Sequence, residues 1–145
     1  MTIVNVYLTF NGNCEAAFNF YKSVFGGEFT YVGRFKDMPA QDGPKMSEAD
    51  GDKIMHITLP ISKETSIMGS DTGGEWAASF VQGNNFSISV SIDSKEEADR
   101  IYQALAKGGN ASMPMNQTFW GSYFGMLTDS FGINWMVSFD GQQAS

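Results

Sequence analysis

The sequence predicts an α+β fold of two tandem βαβββ modules within one domain, residues 1–145. Three observations carry this. Glu15-Ala16 returns as Glu97-Ala98, and in the same register Gly26-Gly27 returns as Gly108-Gly109. Val6, Leu8 and Phe10 align with Ile88, Val90 and Ile92, so an alternating apolar run precedes the amphipathic run in both copies. Short strand-like runs separated by turn residues follow each Gly-Gly. Two copies of one supersecondary unit bury their apolar faces and leave a cleft, with module one at about 1–72 and module two at about 84–140.

The elements follow in order. Ile3 to Phe10 alternates, with Val4, Val6, Leu8 and Phe10 on one side and Asn5, Tyr7 and Thr9 on the other. Asn11-Gly12-Asn13 is turn chemistry, with Asn13 as helix N-cap. Ala17, Phe20, Tyr21 and Val24 recur at helical spacing until Gly26-Gly27 stops the helix. Glu28 to Phe35 reads as a strand. Lys36 to Gly51 is a long loop, Lys53 to Ile61 and Thr65 to Met68 are a strand pair, and Ser70 to Gly83 is a second loop joining the halves. Phe86 to Ile92 alternates cleanly. Ser94 and Glu97 are spaced as a capping box, and Ile101, Ala104 and Leu105 form the stripe of the second helix. Ala111 to Met113 is a short strand ended by Pro114. Gly121 to Thr128 and Ile133 to Phe139 are strands joined by a turn with Gly132 where φ > 0 is needed.

Composition narrows the function classes. A net charge of −7 with no Lys/Arg cluster argues against nucleic acid or an anionic membrane as partner. The chain has no apolar run of membrane-spanning length and no signal-peptide pattern, so a cytoplasmic protein is expected. One Cys excludes an internal disulfide and a Cys-based zinc site. Twelve Phe, five Tyr, three Trp and nine Met supply apolar, adaptable surface.

The stretches VYLTFNGNCEAAFNFYKSVFGGEF, KIMHITLPI, IMGSD and FWGSYFGMLTDSFGINWMV resemble the vicinal-oxygen-chelate superfamily, which includes glyoxalase I, extradiol dioxygenases and the fosfomycin- and bleomycin-resistance proteins. Within it the chain looks most like the PhnB-like group. The resemblance covers nearly the whole chain. It implies a curved, half-open, eight-stranded mixed sheet with helices on the convex face and the ligand or active site on the concave one. It also implies a homodimer, which would cover exposed strand edges. Some members carry a methyltransferase name, but no glycine-rich loop of the kind that cradles a nucleoside cofactor follows a strand here.

Alternation sorts the strands into a helix-facing set (Val4, Val6, Leu8, Phe10; Met55, Ile57, Leu59; Ile88, Val90, Ile92; Ile133, Trp135, Val137) and a cleft-facing set (Asn5, Tyr7, Thr9; Ile54, His56, Thr58; Ser87, Ser89, Ser91; Asn134, Met136, Ser138). Metal-dependent members of the superfamily take one His or Glu from each of four strands. By resemblance those positions fall on Asn5, His56, Ser87 and Met136. Only His56 is a strong ligand for a divalent ion, so no metal and no other cofactor is expected.

Ligand-binding candidates are Asn5, Tyr7, His56, Thr58, Ser87, Ser89, Trp120, Asn134 and Met136, and His56 is the candidate catalytic residue. His56 reads either as a half-buried structural imidazole or as a ligand anchor or general base. Trp135 reads as core and Trp120 as core or cleft rim. Trp76 and Phe80 are candidates for a lid or dimer contact, and Met38 and Met46 for a pocket wall. Cys14 reads as a packed thiol rather than one activated by its helix terminus. Three functions stay open: a metal-free binder of a small amphipathic or aromatic molecule, an enzyme of the glyoxalase type or one using His56 as acid or base, and a structural or regulatory dimer.

Overall fold

The structure is a computed structural model and describes residues 1–38 and 47–140, the side chains of residues 74–76 excepted. Met46 and the side chain of Trp76 therefore lie outside the described residues. The chain divides into two compact units, Met1–Val81 and Gln82–Ser145.

The first unit runs β1 (Val6–Phe10), α1 (Cys14–Phe25), β2 (Tyr31–Arg34), a 3-10 turn (Phe35–Asp37), the one-turn helix α2 (Glu48–Gly51), β3 (Ile54–Pro60) and β4 (Ser66–Asp71), then a 3-10 segment (Gly74–Ser79). The second runs β5 (Ile88–Ile92), α3 (Lys95–Ala106), β6 (Asn110–Gln117), β7 (Tyr123–Thr128) and β8 (Asn134–Phe139). Each unit is thus a βαβββ module. The eight strands form two four-stranded mixed sheets, ordered β1-β4-β3-β2 and β5-β8-β7-β6. In each, the first strand runs parallel to the last, and the other pairings are antiparallel.

Each sheet has a helix on one face. In the first unit α1 packs on β3 and β4. Ala17, Phe18, Tyr21 and Val24 are buried there with Leu8, Phe10, Ile57, Leu59 and Ile67. Phe18 comes so close to Gly69 that a Cβ there would stand 2.7 Å from the ring and 2.8 Å from the Leu8 carbonyl oxygen, so β4 needs glycine at this contact. In the second unit Ala98, Ile101, Tyr102 and Leu105 of α3 cover Leu127, Trp135 and Val137. Trp135 is fully buried, as core packing requires, and its Nε1–H donates to Asp129 Oδ2 at 2.8 Å. Gly132 takes φ 85° in the turn before β8, as the turn chemistry predicts.

Several expectations need correction. Asn13 does not cap α1 with its side chain. The buried carboxylate of Asp71 does so instead, its Oδ1 accepting the N–H groups of Gly12 at 3.0 Å and Cys14 at 2.9 Å. Ser94 accepts the Glu97 N–H as predicted, while the Glu97 carboxylate pairs with Arg100 on the helix surface. The loop Lys36 to Gly51 contains α2. The strand expected to stop before Pro114 continues to Gln117, because β6 is a sheet edge where a missing N–H is tolerated. Its ladder with β7 is irregular at Met113, and the Tyr102 hydroxyl stands 2.9 Å from the Met113 carbonyl oxygen and 3.0 Å from that of Met126, a donor beside the interruption.

The sorting of β3 also changes. Gly33 pairs with His56 but Arg34 pairs with Ile54, so Met55 is an extra residue bulged out of the ladder. Ile54 is consequently buried with Ile57 on the helix side, whereas Met55 is only half-buried, the reverse of the expected placement of these two residues. His56 and Thr58, beyond the bulge, keep their predicted face. Val4 precedes β1 and is exposed, so it joins no core.

Candidate functional site

On the first sheet the face away from α1 gathers Tyr7, His56 and Thr58, three predicted residues, with Tyr31, which the sequence reading missed. Register explains the grouping: Tyr7 pairs with Met68, Met68 with Thr58, and Thr58 with Tyr31, which sets four side chains in one row across the sheet. His56 stands in the next row, half-buried between two tyrosine rings, with centroids 5.6 Å away for Tyr7 and 5.7 Å for Tyr31.

Its partner across the ladder is Gly33. A Cβ on Gly33 would lie 2.7 Å from the Tyr31 hydroxyl oxygen and 2.9 Å from Cε1. The Tyr31 ring therefore lies over the glycine and reaches the imidazole only because that position has no side chain. The available signal was the Tyr-Val-Gly spacing, which places Tyr31 and Gly33 on one face of a strand.

Both imidazole nitrogens have partners. His56 Nε2 is 2.9 Å from Thr58 Oγ1, and Nδ1 is 3.4 Å from the Tyr7 hydroxyl. A neutral imidazole donates from one nitrogen and accepts at the other, so Tyr7, His56 and Thr58 form a chain along which a proton has two arrangements. Tyr7 and Tyr31 are about half exposed, 48% and 49%, so a planar molecule can reach both rings.

The other predicted residues divide. Asn5 lies just outside β1, and its Oδ1 accepts the Ser66 N–H at 2.9 Å, a bond that ties the start of β1 to β4. In the second unit Ser87 precedes β5, while Ser89 is exposed on it. Asn134 is turned to its own unit, with Oδ1 accepting from the Thr128 hydroxyl at 2.7 Å and Nδ2 near the carbonyls of Asn84 and Phe86. Met136 pairs with Met126 and Met126 with Met113, an apolar row on the face away from α3. Trp120 is 57% exposed, so the core reading does not hold. Rings of Phe119 and Phe124 lie at 5.0 and 6.1 Å from it. Met113, Phe124 and Met126 were not predicted, since a run without a charge gives no sign of which side faces a ligand.

The donor set does not fit the divalent ion that the superfamily implies. Asn5 spends its carbonyl oxygen on Ser66, which leaves His56 as the one strong donor of the four positions. Ser87 and Met136 supply a neutral hydroxyl and a thioether, weak donors for Mn, Fe, Ni or Zn. Among the described residues no three His, Cys, Asp or Glu stand together as a metal-binding group. Cys14 is wholly buried; burial pushes its thiol pKa far up, and the Asp71 and Glu15 carboxylates add to that. It is a packed thiol.

This two-module arrangement defines the glyoxalase-like class. A glyoxalase/bleomycin resistance protein/dioxygenase family enzyme from Burkholderia phytofirmans PsJN shares the fold at TM-score 0.62, with 16% identity over 94% of this chain and 96% of that one. Residues 2–138 match the family described as 3-demethylubiquinone-9 3-methyltransferase, and the chain belongs to that family. Protein PA1353 from Pseudomonas aeruginosa is 37% identical over 97% of this chain and 98% of its own, at TM-score 0.81. A PhnB protein from Bacillus cereus is 25% identical, covering 95% and 99%, at TM-score 0.72. Protein YjdN of Escherichia coli K12 is 34% identical over 94% of this chain and 95% of its own. No helix among the described residues is long and apolar enough to cross a membrane.

Proposed function

We propose that this protein binds a small amphipathic or aromatic molecule on its helix-free sheet face, without a metal. The observation that carries the reading is the cluster of Tyr7, Tyr31, His56 and Thr58: two half-exposed rings flank an imidazole that offers a polar handle. Few polar groups on a largely aromatic and apolar lining suit such a ligand. A second reading, favoured by the Tyr7–His56–Thr58 chain, makes His56 a general acid or base in a metal-free enzyme. Metal-dependent lyase, isomerase or dioxygenase chemistry has no supporting donor set. Methyl transfer draws no support either, since the β1–α1 connection is Asn11-Gly12-Asn13 rather than a glycine-rich cradle. The working form is a cytoplasmic homodimer, a reading that rests on the superfamily and on the open edges of both sheets.

Native mass spectrometry of freshly purified protein tests the binding, and the co-purified molecule is then titrated back. His56→Ala should weaken it by about 1–3 kcal/mol, the scale for leaving a buried polar partner unpaired. Normal affinity in that variant for every bound molecule sinks the reading. Elemental analysis finding one transition metal per chain, lost in the same variant, sinks the metal-free part. Sedimentation showing a monomer at about tens of micromolar sinks the dimer.

A further inference from the structure

The second unit carries a feature that ligand binding in the first does not use. Met113 pairs with Met126 across β6 and β7, and Met126 pairs with Met136 across β7 and β8. Directly opposed residues on antiparallel strands point to the same face with Cβ atoms about 5 Å apart. On β7 and β8 the alternate residues Gly125, Leu127, Trp135 and Val137 are buried on the helix side, so this row lies on the open face. Three thioethers on adjacent strands therefore stand side by side, with Met113 46% exposed and the other two half-buried.

The spacing between two of the three is held firmly. The Tyr102 hydroxyl reaches the carbonyls of both Met113 and Met126 from the α3 side, pinning the two backbones together where Pro114 interrupts the ladder. Beside the row, Phe124 shares its face on β7, and Trp120 stands over that ring. In the first unit the corresponding row is Tyr7, Met68, Thr58 and Tyr31, with a single Met. An apolar lining alone would be served by Leu, Ile or Val, which hold shape better. Three adjacent unbranched thioethers have a further property: a neutral, soft, polarisable donor set that disfavours hard divalent ions and selects soft ones.

We propose that Met113, Met126 and Met136 form a thioether site for one soft monovalent cation of the copper(I) kind. The three side chains project from adjacent strands onto the face away from α3, with Phe124 on the same face of β7 and Trp120 against its ring. The ion is bound and released as copper(I), with no change of oxidation state. The site is independent of His56 and of the ligand reading above.

The test uses the full-length reduced protein under anaerobic conditions, titrated with copper(I) buffered by bicinchoninate and followed by the 13C ε-methyl resonances of methionine. The methyls of Met113, Met126 and Met136 should shift together and saturate at one equivalent. Met126→Leu, which conserves volume, should weaken uptake by about tenfold or more, the scale on which changes to a metal's surroundings act. Cys14→Ala should leave uptake unchanged. Failure to take copper(I) from the competitor overturns the site. So does uptake that leaves the three methyls unmoved, or uptake abolished by Cys14→Ala or His56→Gln.

Discussion

Asp71 Oδ2 accepts the backbone N–H of Ile54 at 2.9 Å, so a residue at the end of β4 fixes where β3 begins. The β3–β4 ladder extends only from Ile57 paired with Gly69 to Pro60 paired with Ser66. The Ile54 N–H lies beyond it and would otherwise be buried without an acceptor. Oδ1 of the same carboxylate holds the N–H groups of Gly12 and Cys14. One buried side chain thus joins the start of α1, the start of β3 and the end of β4, and through β3 it sets the position of His56.

Asp71→Asn tests this junction. The amide keeps one acceptor oxygen but turns an NH2 toward either Ile54 or the α1 turn, where a donor already waits. A stability loss of about 1–3 kcal/mol is expected, the cost of leaving one buried donor unpaired. Urea denaturation measures it. A midpoint equal to that of the parent protein would mean that the carboxylate carries no such role.

Gly33→Ala tests the Tyr31 contact. The new methyl would occupy the space of the Tyr31 ring, 2.7 Å from its hydroxyl oxygen, so the ring must lift away from His56. The His56 ring protons should lose the shielding of that neighbour, while the Tyr7 contact persists. Ligand affinity should fall with little change in denaturation midpoint, because Tyr31 is half exposed and carries little of the core. Unchanged His56 proton shifts would show that the two rings do not meet in solution.

Trp135→Phe tests the second core. The indole N–H donates to Oδ2 of the buried Asp129 carboxylate, whose Oδ1 accepts the N–H groups of Phe131 and Ile133. Phenylalanine removes that donor and leaves a gap under α3. A loss of about 2–4 kcal/mol is expected from the lost indole hydrogen bond and the cavity together. Asp129→Ala in the same background should then cost less than it does in the parent protein, the coupling expected of direct partners.

The module repeat was legible because helix stripes, strand alternation and Gly-Gly stops are local patterns that survive in both copies. The core followed from it: Leu8, Tyr21, Ile101 and Trp135 are buried where periodicity puts them, whereas on α1 Phe18 is buried and the expected Phe20 is only half-buried. The faces were legible only where register is regular. Tyr7, His56 and Thr58 came together as expected, whereas Ile54 and Met55 exchanged sides at a bulge that arises from pairing with β2, a partner distant in sequence. Asp71 as the cap of α1 was hidden for the same reason, being 57 positions from Cys14. Tyr31 escaped notice because its role depends on the absence of a side chain at Gly33. The methionine row exists only through cross-strand register, so no reading along the chain could assemble it.

Tyr123 gives a pH dependence with a definite sign. Its hydroxyl donates to Asp99 Oδ1 at 2.6 Å, and Lys95 Nζ lies 4.8 Å from the ring centroid. The hydrogen bond to the carboxylate favours the neutral phenol and, with burial, pushes its pKa up from 10.0 to about 12. The folded protein therefore holds this proton more tightly than the unfolded chain. Its contribution to stability is whole below pH 10 and is lost as pH rises from there through about 12. Tyr123→Phe removes that proton and its bond. The stability gap between parent and variant should be widest near neutrality and should narrow as pH rises through this window, measured by urea denaturation at several pH values. In the folded parent, absorbance of tyrosinate should show a component titrating near pH 12 that the variant lacks. A gap that stays constant from neutrality to the top of the window would show that Asp99 does not hold the phenolic proton.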